Sequence, residues 1–424
     1  MGRVSDENKT GPLAHWSLVA GGMVGGGIYT ALGVVVGLAG QWAWLSLLLA
    51  GLVALPSAIN YCRLSNHFQR SGGAFEFLRE LKLEGPAGSL AWILLLGYVL
   101  TIALYAFAFG QYVAYAFHGG PAWTRGLALL AMVTLIVLNL GGVGKMKSLE
   151  IVTVSANLLV LLALAIYGLL HFQAVNLVAG IHPQPGWTAL IGAASIFVSY
   201  EGFQLVAYEY EQIENPQKYL VPVVVSAVIF VIALYILVAL GATNLAGALA
   251  VIEKKQVALS LAAYRGIGYP GLIALTVAAA MATSAAINST LFSSAQLAAR
   301  IAQEGELPAF FEQTNQRGVP GYAVLCLGGL ATVLATTGSL SVLVETASLA
   351  FLVTFGVVNV IAYHELESHR WFPVMGISVG ILVGLFLVLR LAISATVPLA
   401  MFLVTVALIF VGRPYVLQRV ATDG

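Results

Sequence analysis

GGMVGGGIYT, residues 21–30, carries five glycines in its first seven positions. It lies inside a long apolar stretch, with Trp16–Ala20 before it and Ala31–Ala39 after it, and the flanks read as two halves of one membrane helix. Glycine inside a helix costs about 1 kcal/mol relative to alanine. Close helix packing accounts for part of the cluster, because Gly21/Gly25 and Gly22/Gly26 are small residues four apart. It does not account for Gly25, Gly26 and Gly27 in a row, which cover every side of a helix. Three adjacent glycines predict a break. At membrane depth a break is tolerated only where it is buried in protein or lines a cavity. The half-helix beginning near Gly27 offers free N–H groups and a positive dipole end, which suit a carboxylate. The half-helix ending near Met23 offers carbonyl oxygens, which suit an ammonium group or a metal cation. The backbone of Met23, Gly25, Gly26, Gly27 and Ile28 is therefore a candidate site for a zwitterion.

Composition places that break in a membrane. The chain has 424 residues, 60% hydrophobic and 9% charged, with mean hydropathy +0.93. Soluble domains carry about 25% charged residues. A formal net charge of +1 gives no signature of nucleic-acid binding. Cys62 and Cys326 stand in apolar stretches far apart in sequence and suggest neither a disulfide nor a metal site. The polar start MGRVSDENKTGPLAHW lacks a signal-peptide core, so the first apolar segment is expected to be a retained span.

A crossing helix needs about 20 apolar residues. Twelve stretches qualify: 16–40, 42–66, 89–117, 124–140, 148–170, 187–210, 221–241, 271–299, 322–337, 340–363, 372–389 and 396–411, of which the fourth, ninth and twelfth are short. With the N-terminus inside, fourteen of the nineteen Lys and Arg residues fall on the inner side; only Arg125, Lys254, Lys255, Arg265 and Arg390 fall outside. The positive-inside rule thus predicts an even number of spans and cytoplasmic termini. The outer connector 243–269 contains EKKQVALSLAAY, which reads as a short amphipathic helix on the membrane surface. No linker divides the chain, so a single membrane domain, 1–424, is expected.

If the fold contains an inverted repeat, a second break is required. The sixth stretch supplies one: in FVSYEGFQLVAYEYEQIENP, residues 197–216, Ser199, Glu201 and Gly202 interrupt the apolar run. Phe197, Val198, Tyr200, Glu201 and Phe203 are the candidate binding residues there, with the Val198 carbonyl facing an amine and the aromatic rings covering a side chain. Stretches one and six are corresponding members of two five-helix halves, 16–170 and 187–363, followed by two further helices in 372–411.

These segments resemble the amino acid–polyamine–organocation superfamily. Gly25-Gly26-Gly27-Ile28-Tyr29 fits its first-span signature with Tyr in place of Phe, and Ser71-Gly72-Gly73 fits its motif after the second span. Tyr200-Glu201-Gly202-Phe203 with Glu209, Glu211, Glu214 and Asn215-Pro216 fits the sixth. Asn288, Glu304-Gly305-Glu306-Leu307-Pro308 and Val319-Pro320 fit the eighth and the entry to the ninth, with Gln296 where Arg is common. The resemblance implies an all-α membrane fold of twelve transmembrane helices, a 5+5 inverted repeat of the leucine-transporter type with discontinuous helices 1 and 6. It also implies secondary transport of an amino acid or related amine by alternating access. Two departures bear on coupling. Proton-driven members often carry a fifth-span Lys where this chain has Asn157, and a sixth-span Glu where it has Gln204.

A mid-span carboxylate is a functional candidate. Glu201 could carry a proton or offset a cationic substrate, or hydrogen-bond the unwound backbone as a neutral acid. Thr283 and Ser284 follow Ala280 by three and four residues, so one helix face presents a carbonyl and two hydroxyls. In sodium-coupled relatives of this fold such a trio faces first-span carbonyls, here Gly21 and Val24, and the five form a candidate sodium site. Hydroxyls in membrane helices also commonly bond their own backbone. Glu345, one turn into the tenth stretch, reads as a residue that snorkels to the interface.

His364 and His369 are five apart, not four, and do not form a zinc-protease pair. The glycine cluster matches neither a dinucleotide fingerprint nor a phosphate loop. No convergent catalytic set or repeated polar filter is visible, so neither an enzyme nor a channel is expected. Two functions remain: a cation-coupled amino acid transporter, and an ion-independent exchanger or facilitator. The lipid bilayer and a small-molecule substrate are the expected partners, with no cofactor beyond a bound sodium ion.

Overall fold

The computed structural model describes residues 11–142, 147–394 and 396–422, without the side chains of 147–150, 398 and 414–422. Arg3, Lys9 and Lys145, and the side chains of Lys147 and Arg419, which entered the charge count, lie outside the described residues.

The described residues are almost entirely helical. In chain order they form α1 Pro12–Val24, α2 Gly27–Ala39, α3 Ala43–Phe68, α4 Gly73–Glu80, α5 Glu84–Ala116, α6 Pro121–Leu140, α7 Lys147–Leu170 and α8 Thr188–Ser195. Then come α9 Pro216–Ala246, α10 Ala248–Glu253, α11 Ala258–Ile267, α12 Tyr269–Gln303, α13 Gly321–Thr337, α14 Leu340–Glu365, α15 Trp371–Ser394 and α16 Thr396–Thr422. Each of the twelve apolar stretches coincides with one of these helices or with an interrupted pair. Eight helical stretches among the described residues are long and apolar enough to cross a membrane, and a ninth arises if the bent pair 188–212 is one crossing. Pro12–Phe68 passes as one stretch of 57 residues and contains the first two expected spans. The ninth and twelfth expected spans fall on the shorter helices Gly321–Thr337 and Leu399–Arg413.

The two expected breaks differ in depth. α1 ends at Val24, and Gly25 still holds a helical bond, its N–H donating to the Gly21 carbonyl at 2.7 Å. The disruption centres on Gly26, at φ −139° and ψ −16°. The second break is larger. α8 stops at Ser195, a 3₁₀ turn runs from Phe197 to Tyr200, and Glu201 is extended. Gly202 follows at φ +125°, which favours glycine. A second 3₁₀ stretch, Phe203–Gln212, follows, and the segment Phe197–Gln212 as a whole leaves α8 at 58°. Asn215 in the left-handed region and Pro216 in the first turn then start α9.

One connector departs from its expected position. Residues 258–263, within the predicted surface helix, are buried. The apolar face of EKKQVALSLAAY packs into the protein, while its charged end at Glu253, Lys254 and Lys255 and the terminal Tyr264 are exposed. An amphipathic face can be satisfied by a protein interior as well as by lipid, and periodicity does not distinguish them.

The interior is rich in tyrosine. Tyr29, Tyr61, Tyr98, Tyr105, Tyr112, Tyr200 and Tyr235 are among the largest fully buried side chains. Buried hydroxyls need partners, and several of these find them at the two breaks.

Candidate functional site

The glycines of the first stretch each face a different neighbour. A Cβ added at Gly21 would lie 2.4 Å from Val154 of α7, and one at Gly25 would lie 2.4 Å from Ala286 of α12. At Gly26 it would lie 1.9 Å from the Tyr105 ring of α5, and at Gly27 2.4 Å from the Tyr235 hydroxyl of α9. Gly22 faces the second break directly: a Cβ on Gly202 would lie 2.5 Å from the Gly22 carbonyl carbon. The glycine run therefore does two things. It interrupts the helix, and it lets backbone meet backbone where the two breaks cross.

Tyrosines tie the breaks together. The Tyr235 hydroxyl stands 2.7 Å from the Met23 carbonyl and 2.9 Å from the Ser199 carbonyl. The Tyr105 hydroxyl lies 3.4 Å from both the Gly22 carbonyl and Glu201 Oε2. Gln204 donates to Glu201 Oε1 at 2.7 Å and to the Tyr98 hydroxyl at 3.2 Å, and it accepts the Gly202 N–H at 3.0 Å. Tyr98 in turn pairs with Tyr208. Glu201, 1% exposed, is thus held by two hydrogen-bonding side chains, Gln204 of its own segment and Tyr105 of α5. The Ser348 hydroxyl of α14 accepts the Val198 N–H and donates to the Ser195 carbonyl, both at 3.0 Å, closing the frayed end of α8.

The expected binding residues divide into groups. Met23, Gly25, Gly26, Gly27, Ile28, Val198 and Glu201 are all buried at the two breaks. Among the described residues no backbone acceptor takes the N–H of Gly26 or Gly27. The Val198 carbonyl accepts the Glu201 N–H at 2.9 Å. The aromatic residues mostly pack: Phe197 and Phe203 meet Phe355 of α14, with centroids 6.0 and 4.8 Å away. Tyr200 donates to the Leu47 carbonyl of α3 at 2.7 Å.

Asn157 sits beside the first break, accepting a 2.5 Å hydrogen bond from the Tyr29 hydroxyl. It also borders a cavity of about 10 Å³ with Gly21, Gly25, Val154 and the α12 residues Ala282, Ala285, Ala286 and Ser289. That volume is about what one water needs. Gly21 is thus the member of the expected sodium set that reaches this cavity. Val24 is buried in α1, and Ala280 and Ser284 are half-buried on α12. The Thr283 hydroxyl donates to the Ala279 carbonyl of its own helix at 2.7 Å.

Several site residues escape sequence reasoning. Tyr105, Tyr235 and Ser348 hold the breaks, yet nothing in their local sequence separates them from the other polar residues of their helices, such as Thr101 in α5 or Thr346 in α14. Glu345 does not snorkel: it is 1% exposed and pairs with Arg390 of α15, which also donates to Ser195 Oγ at 3.0 Å.

Comparison with known proteins follows the same lines. The amino acid permease family model matches residues 11–412. The inner membrane transport protein YbaT of Escherichia coli (strain K12) is 28% identical over 390 residues, 89% of this chain and 89% of that protein. The cationic amino acid transporter 3, mitochondrial, of Arabidopsis thaliana is 26% identical over 362 residues, 80% of this chain and 59% of that protein. Among solved structures, MhsT in complex with L-phenylalanine shares the fold, with TM-score 0.65 at 17% identity over 90% of this chain and 98% of that one.

Proposed function

The chain belongs to the amino acid permease family, and from that membership we propose that it is a secondary transporter. It carries an amino acid or related amine across the cell membrane by alternating access around the two crossed breaks. One observation supports this above the others: Gly22 lies against Gly202, and one hydroxyl, that of Tyr235, spans the carbonyls of Met23 and Ser199. Free N–H groups at Gly26 and Gly27 suit a carboxylate, and the carbonyls of Met23 and Val198 suit an amine. The working organisation is two five-helix repeats, 16–170 and 187–363, with two further helices in 372–411, both termini on the cytoplasmic side.

Glu201 is the residue proposed to read charge. As a proton carrier it makes transport depend on pH; as a counter-charge it selects a basic side chain, a reading favoured by a relative named for cationic amino acids. Glu201→Gln separates the roles: the first predicts a flattened pH profile, the second a lost preference for basic substrates. An unchanged pH profile together with unchanged selectivity would return Glu201 to a structural role.

Coupling to a cation is proposed through the space between α1 and α12, with the carbonyls of Gly21, Val24 and Ala280 and the hydroxyls of Thr283 and Ser284 as ligands. Asn157 favours a second reading. An amide held by Tyr29 supplies no positive charge, and a single water in the adjoining cavity would satisfy an ion-independent exchanger. Flux into proteoliposomes, with sodium and pH gradients varied separately and the twenty amino acids as substrates, tests both readings. Sodium-stimulated uptake that is lost in Thr283→Ala supports coupling. Equal uptake in sodium and choline removes sodium, and no uptake of any amino acid refutes the transport reading.

A further inference from the structure

A second cavity, of about 390 Å³, opens away from the breaks. Its polar lining is Gln111 of α5, Thr124 and Arg125 of α6, Gln256 of the 255–257 turn, and Thr336 and Ser339 at the α13–α14 junction. Gln111 lies six residues beyond Tyr105 on α5, about 9 Å along the helix axis. The cavity is therefore separate from the site between the breaks. Its size falls in the range of roughly 300–1,000 Å³ common to small-molecule sites.

The lining has one formal charge. Arg125 is exposed and has no acidic partner among the described residues, and no Asp or Glu lines the cavity. Thr124 is 7% exposed, and its hydroxyl makes no hydrogen bond among the described residues. A lone guanidinium beside the hydroxyl of a mostly buried threonine and two amides is a donor-rich set with no anion of its own. A guanidinium matches a carboxylate in a planar, two-point geometry. The cavity borders the first turn of α6, whose dipole favours negative charge, and the last turn of α13, whose dipole opposes it, so the preference for an anion rests on Arg125.

Gln256 connects the cavity to the rest of the protein. Its neighbour Lys255 lies on α2: a Cβ added at Gly33 would be 2.2 Å from the Lys255 carbonyl oxygen. A ligand bridging Gln256 to Arg125 fastens that turn over α2, the half-helix that leaves the first break.

We propose that this cavity is a binding site for a small carboxylate, and that its occupancy restrains α2 through the 255–257 turn. The binding claim stands apart from the transport reading; the restraint rests on it. The test uses purified full-length protein in detergent and ¹³C-acetate as probe, read by NMR line broadening. Wild type broadens the acetate signal at millimolar concentrations, and Arg125→Gln and Thr124→Val each reduce the broadening at least fivefold. Arg125 is exposed, so its replacement leaves the fold intact. Gly26→Ala, which closes the carboxylate position between the breaks, leaves the broadening unchanged. Absence of broadening by the wild type, its persistence in Arg125→Gln, or its loss in Gly26→Ala overturns the proposal. In proteoliposomes, external acetate slows uptake by wild type and not by Arg125→Gln. Equal slowing of both overturns the restraint.

Discussion

Tyr235→Phe removes one oxygen from the centre of the protein and leaves the ring in place. That oxygen serves two carbonyls, Met23 at 2.7 Å and Ser199 at 2.9 Å, at a buried position. One hydroxyl proton is donated to one carbonyl at a time, so the substitution deletes one hydrogen bond and leaves a buried acceptor bare. Such a loss costs about 1–3 kcal/mol. With tenfold per 1.4 kcal/mol, this shifts the equilibrium between joined and separated breaks by roughly 5- to 150-fold. Hydrogen exchange of the full-length protein reads that equilibrium locally. Peptides covering residues 21–30 and 196–205 should exchange faster by that factor, while peptides from α6 stay at the wild-type rate. Exchange within twofold of wild type in both segments would show that the hydroxyl does not hold the breaks together.

Other perturbations reach different parts of the same structure. Gly26→Ala places a methyl 1.9 Å from the Tyr105 ring, so amino acid binding by equilibrium dialysis should fall at least tenfold; unchanged affinity would show that the ring yields freely. Arg390→Ala strands Glu345 and should cost about 3–5 kcal/mol, whereas removing both partners should recover most of that, as measured by chemical unfolding of the two single variants and the double. Burial pushes the Glu76 carboxyl above its usual range, with Arg300 and Arg79 pulling it back less strongly. Its folded form therefore favours the proton, and stability present below the usual carboxylate value declines as pH rises through the raised one. Glu76→Gln should flatten that decline in melting scans across acidic to neutral pH, and an identical pH slope would exclude Glu76 as its source.

What the sequence reveals follows from what stands out in an apolar background. A glycine run and a Glu-Gly pair inside hydrophobic stretches have few structural explanations, so Gly25–Gly27 and Glu201–Gly202 are readable as breaks without coordinates. Tyr235 and Tyr105 are not readable as their clamps. A lone tyrosine in a helix has the same local signature whether its hydroxyl meets lipid headgroup, neighbouring helix or a frayed end. Thr283 illustrates the opposite failure. Its spacing from Ala280 predicts a shared helix face, yet its hydroxyl turns to its own backbone, which spacing cannot report. Glu345 lacked only its partner, since Arg390 is 45 residues away on another helix.

The glycine-lined face of the first stretch has a mechanical consequence. Five elements approach it at contact distance, and at Gly21, Gly22, Gly25, Gly26 and Gly27 they meet backbone instead of a projecting side chain. Where two ordinary helices slide, interlocked side chains must leave one rotamer well for another, and the interface resists until they do. A surface with no side chains on one partner has no teeth on that side. It behaves as a journal turning in a bearing, close-fitting yet without detents. Each added methyl would convert part of that smooth track into a ratchet, so substitutions there should slow the rate of conformational exchange even where the resting structure tolerates them.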